Sequence, residues 1–89
     1  MEPADAPVLE VFPNPSNGPV YLVLHLPMEA SEVQLVILDA TGKTMASTRP
    51  RIGTGVVELP SGTWPNGMYM AVLRSAGIQI GTVRFALAR

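Results

Sequence analysis

Hydrophobic residues along this chain recur at every second position, in short runs separated by turn formers. From Val20 to Leu26 the run V-Y-L-V-L-H-L puts Val20, Leu22, Leu24 and Leu26 on one face of a strand. Tyr21, Val23 and His25 fall on the other face, with His25 expected in solvent. Val8 to Phe12 reads as a first short strand. Val33 to Leu38 alternates again, with Val33, Leu35 and Ile37 inward, and Lys43 to Arg49 returns as its partner. Gly55 to Leu59 is a further strand, and Met68 to Arg74 with Ile78 to Leu87 form a last hairpin around Ser75-Ala76-Gly77. No stretch holds a helical period. About seven short strands predict an all-β domain, a small immunoglobulin-like sandwich of antiparallel strands with Greek-key connections.

The breaks between strands carry as much information as the strands. F-P-N-P-S-N-G (Phe12 to Gly18) crowds turn formers into one corner that neither a helix nor a central strand accepts. Pro27 with Met28-Glu29-Ala30-Ser31 ends the second strand. D-A-T-G-K (Asp39 to Lys43) predicts a tight turn in which Gly42 takes a positive φ and Asp39 bonds backbone amides. R-P-R-I-G-T-G leads into the fifth strand, and P-S-G-T-W-P-N-G (Pro60 to Gly67) is another compact corner.

Composition narrows the class. At 89 residues the chain makes one domain near the lower size limit for folding without staples, and it has no cysteine. Apolar residues make up 47% and charged residues 15%, which is enough core material to exclude disorder. Six Lys and Arg against seven Asp and Glu leave no electrostatic footprint for nucleic acid or an anionic membrane. Residues 1–7, M-E-P-A-D-A-P, lack the basic and apolar regions of a signal peptide and read as the tail of a linker from a larger protein.

The candidate chemistry is thin. T-G-K-T at residues 41 to 44 resembles the end of a phosphate-binding loop, but Ile37 stands where that loop needs glycine and a strand follows instead of a helix. His25 is the one histidine, and no nucleophile elbow accompanies it. The carboxylates are dispersed, without the spacing of a calcium loop or a paired glycosidase site. Trp64, Tyr21 and Tyr69 offer an aromatic platform for sugar. The simpler reading has Trp64 capping the end of the core and Tyr69 sharing an inward face with Ala71 and Leu73. These residues predict no enzyme, no metal and no cofactor.

The corners taken in order form a pattern: F-P-N-P-S-N-G, L-H-L-P, V-Q-L-V-I-L-D-A-T-G-K, W-P-N-G-M-Y, and a last strand ending in basic and apolar residues. This closely resembles the C-terminal sorting domain of the type IX secretion system, type A, also called the Por secretion tail. The resemblance runs from about Leu9 to Arg89. Pro13, Asn14, Pro15 and Gly18 match its opening corner, Asp39, Gly42 and Lys43 its hairpin, and Pro65, Gly67 and Tyr69 its late corner. Leu38 and Trp64 depart from the usual residues at their positions, and Arg84 stands where the family commonly has Lys.

The resemblance implies a rigid first corner and a non-catalytic secretion signal. Residues 1–7 would be a linker and cleavage region and residues 8–89 the sorting domain. The implied partners are an N-terminal cargo domain, the outer-membrane translocon and shuttle proteins of the type IX system, and a sortase-like cysteine protease that removes the domain. The implied route crosses the periplasm to the outer membrane, the cell surface or the medium. An exposed terminal strand also suits docking, which points to Gly81 to Arg89, with Arg84 and Arg89 outward and Val83, Phe85 and Leu87 inward. The alternative function is a carbohydrate-binding or fibronectin-like spacer module of a secreted enzyme. A third reading is an adhesion or homodimer module that uses an edge strand.

Overall fold

The computed structural model describes residues 8–27, 32–50 and 53–89. The linker expected at residues 1–7, the Met28 to Ser31 break and the Arg51-Ile52 part of the later break lie outside the described residues. Seven strands follow one another among the described residues: β1 (Val8–Phe12), β2 (Tyr21–Leu26), β3 (Val33–Asp39), β4 (Thr44–Thr48), β5 (Gly53–Glu58), β6 (Gly67–Ser75) and β7 (Ile78–Leu87). They pair antiparallel into a three-stranded sheet, β1-β2-β5, and a four-stranded sheet, β4-β3-β6-β7.

Alternation decides which side chains meet between the sheets. Val20, Leu22, Leu24 and Leu26 face Leu35, Ile37, Ala71, Leu73, Phe85 and Leu87, and all are sealed from water. Burying a side chain of this size contributes roughly 1.5–3 kcal/mol, so this double row supplies most of the apolar drive to fold. The partnerships β2 with β5 and β3 with β6 join strands distant in sequence, the Greek-key logic expected of the chain.

Local order departs from simple alternation at a few places. One residue of β4 is bulged opposite Ile37 and Leu38, and β7 is bulged opposite Leu73 and Arg74. Ser61–Thr63 form a single 3-10 turn inside the corner between β5 and β6. Val36 and Val72 point away from the core, yet both are buried. They sit opposite each other on the two central strands, with Ser47 and Thr82 flanking them in the same row. His25 is half-buried rather than fully in solvent, because its strand is central and flanked on each side.

Candidate functional site: the terminal strand and the corners that hold it

The corner after β1 is more than a bend between neighbours. Its Phe12–Pro13 and Asn14–Pro15 peptide bonds are both cis. The Asn14 side chain lies alongside β7 as a two-pronged fork: Nδ2 donates to the Arg84 carbonyl at 3.1 Å, and Oδ1 accepts from the Ala86 N–H at 3.0 Å. Ser16 continues the contact through its backbone, donating to the Ala86 carbonyl at 2.9 Å and accepting from the Ala88 N–H at 2.8 Å. Ser16 is buried, and its hydroxyl is satisfied locally. It lies 3.0 Å from the Gly18 and Pro19 carbonyls and accepts the Gly18 N–H. A buried hydroxyl persists only when so partnered.

The Asp39 turn follows its expected chemistry. Asp39 Oδ1 accepts from the Thr41 hydroxyl at 2.7 Å, the Thr41 N–H at 2.9 Å and the Lys43 N–H at 3.0 Å. Gly42 closes the turn at φ +89°, a left-handed conformation that glycine adopts without a steric penalty. The bonds from the Thr41 hydroxyl and then the Lys43 amide favour the ionised carboxylate and hold its pKa below the ordinary value. Thr41 to Lys43 therefore serve the turn, as their sequence context predicted.

The late corner closes one end of the core. Trp64, Tyr69 and Phe85 stack in succession, with centroids 5.4 and 5.5 Å apart. The Tyr69 hydroxyl donates back to the Pro65 carbonyl at 2.5 Å. Burial, followed by the negative charge of Asp39, raises the Tyr69 pKa, so the phenol stays a donor. Gly67 enters β6 at φ +150°, where a side chain would be strained.

Arg89 ties this corner to the end of β7. Its guanidinium donates to the Trp64 carbonyl at 2.6 Å and to the Ser61 carbonyl. Asn66 forks around the Arg89 backbone much as Asn14 forks around Ala86. Its Oδ1 accepts from the Arg89 N–H at 3.0 Å, and its Nδ2 donates to the Arg89 carbonyl at 3.3 Å.

These contacts place the sequence-derived residues. Asp39, Tyr69 and Phe85 occupy one row across β3, β6 and β7, and Asn14 lies beyond β7 at Ala86. The three corners therefore gather at one end of the four-stranded sheet. Phe85 and Leu87 point inward and are buried, Val83 is partly buried, and Arg84 is exposed. Gly81 lies against β1, where a Cβ would stand 3.9 Å from that of Leu9. Arg84 borders a shallow depression of about 310 Å³ with Met68, Met70, Asp39, Ala40 and Tyr69.

Two placements differ from the sequence reading. Arg89 does not project freely, because the chain has left the pleat of β7 and the guanidinium folds back onto the late corner. Nor is the outer edge of β7 open near its end, since Asn14 and Ser16 occupy it from Arg84 to Ala88. Ser16 and Asn66 escaped the sequence reading because their partners lie far away in the chain. Among the described residues no group of three or more His, Cys, Asp or Glu side chains could hold a metal ion.

A small two-sheet sandwich whose turn chemistry converges on its last strand defines the class as a compact all-β domain. The chain belongs to the secretion system C-terminal sorting domain family of type IX secretion, whose sequence model, the Por secretion tail, matches residues 10–83. A similar solved structure is that of PorZ, an essential bacterial surface component of the type IX secretion system of Porphyromonas gingivalis. The two share 22% identity at a TM-score of 0.65, and the match covers 91% of this chain. That likeness shows the fold, and it spans 11% of the solved chain. No curated protein matches the chain.

Proposed function

We propose that this chain directs a cargo protein across the outer membrane through the type IX system and performs no catalysis of its own. Family membership over residues 10–83 is the observation that carries this reading. In it, residues 8–89 are the sorting domain and residues 1–7 the linker and cleavage region. The cargo passes the periplasm, the translocon and its shuttle proteins read the folded sandwich, and a sortase-like cysteine protease removes it at the surface.

The docking element in this account is Gly81, Val83, Arg84, Phe85 and Arg89, in unequal roles. Arg84 is the residue a partner touches, since it is exposed beside the depression that Met68 and Met70 line. An adaptable methionine surface next to an exposed cation suits recognition by another protein. Phe85 acts from within the core, and Arg89 ties the end of the strand to the late corner. Export of a reporter carrying the chain tests this. Arg84→Glu, which disturbs no core contact, should lower export severalfold in a domain that still folds. Export at the wild-type level would remove Arg84 from the docking role.

A further inference from the structure

The outer face of the three-stranded sheet sets exposed apolar side chains beside two carboxylates and His25. Register places Phe12, Tyr21 and Glu58 in one row across β1, β2 and β5, and Glu10, Val23 and Val56 in the next. Val8 follows, opposite His25. Val8, Phe12 and Val56 are 41%, 46% and 60% exposed, three of the five exposed large hydrophobic residues among the described residues. The rings of Phe12 and Tyr21 stack at 5.5 Å. Contiguous exposure of this kind marks interaction surfaces.

Charge selects the occupant. The strands of this sheet contain Glu10 and Glu58 and neither lysine nor arginine, whereas Arg74 and Arg84 lie on the other sheet. Glu58 stands directly opposite Tyr21, and Glu10 stands one row from the ring pair. A cation above this area meets aromatic rings and carboxylates together, and both attract it. We propose that this face docks a protein segment that presents arginine or lysine among apolar side chains. The surface lies on the sheet opposite the terminal strand, and its test is independent of export.

The purified chain is titrated with an extended hexapeptide of alternating arginine and valine while its amide resonances are followed. Shifts should concentrate in β1, β2 and β5, and a peptide with glutamate in place of arginine should not bind. Glu10→Gln with Glu58→Gln should weaken binding roughly fivefold to tenfold without altering the fold, from the modest energies of exposed charge and ring contacts. Val56→Ser, which touches the apolar part alone, should also weaken it. Absence of binding at millimolar peptide, equal binding of the glutamate peptide, shifts centred on the four-stranded sheet, or unchanged affinity in the double variant would each overturn the proposal. So would concentration-dependent shifts of these strands without peptide, since a second copy of the chain would then be the occupant.

Discussion

Asn14 and Ala86 stand 72 positions apart in sequence, and the side-chain oxygen of Asn14 accepts the Ala86 amide at 3.0 Å. With the second prong on Arg84, one asparagine does for the edge of β7 what a further strand would do. That explains a corner so dense in turn formers. Pro13 and Pro15 restrict the backbone on either side of the residue that must be aimed. The same device recurs at Asn66, so two asparagines hold the last strand at separate points. An edge closed this way is protected against indiscriminate strand pairing.

Asn14→Ala removes both prongs from an exposed site. Each hydrogen bond contributes about 0.5–1.5 kcal/mol net, so the loss should be about 1–2 kcal/mol in urea unfolding. The Ala86 amide should exchange with solvent markedly faster, while amides of β3 keep their protection. Unchanged exchange at Ala86 would show that the fork does not guard this edge.

Arg89→Ala should loosen the late corner without disturbing the strands. The carbonyls of Ser61 and Trp64 lose a charged donor, at roughly 1–2 kcal/mol after allowance for solvent access. Trp64 reports the change directly, with a red-shifted emission as water reaches a ring that is now buried.

Phe85 is fully enclosed and stacks on Tyr69. Phe85→Ala should cost about 3–5 kcal/mol, a large share of the roughly 5–15 kcal/mol typical of a small domain. Phe85→Leu should be milder and retain a cooperative transition. Thermal or urea melts of the two variants separate these outcomes.

Asp39 gives the fold an acid-sensitive turn. Its folded pKa lies below the ordinary 3.8, because the Thr41 hydroxyl and then the Lys43 amide bond the ionised form. A depressed carboxylate stabilises the fold above its unfolded pKa, and the contribution is lost as pH falls through the folded value. Asp39→Asn should therefore be less stable than the wild type near neutral pH. The gap should narrow below pH 3.8 and close in stronger acid, as read by urea midpoints across that range. A gap independent of pH would mean that the carboxylate charge does not matter.

Much of this fold was legible because alternation is a local signal. Val20, Leu22, Leu24 and Leu26 declared their face two residues at a time, and Gly42 with Asp39 declared a turn within five positions. The ordered corners likewise pointed to the family now shown by the match over residues 10–83. What escaped was long-range and polar. Ser16 looked like one more turn residue, and nothing nearby announces that its backbone pairs with β7. Arg89 shares the parity of Val83, Phe85 and Leu87 but lies past the end of the strand, and its destination depends on where a corner 25 residues earlier is folded. Val36 and Val72 broke the rule from the other side, buried on the face that alternation assigns to solvent.

The measurement that bears most directly on the central claim is export of a fluorescent reporter placed between an inner-membrane export signal and this chain. It is made in a bacterium with an intact type IX system and in a mutant lacking that system. The account predicts reporter at the surface or in the medium of the intact strain and reporter held in the periplasm of the mutant. Reporter held in the periplasm of both strains, with the domain folded, would contradict it.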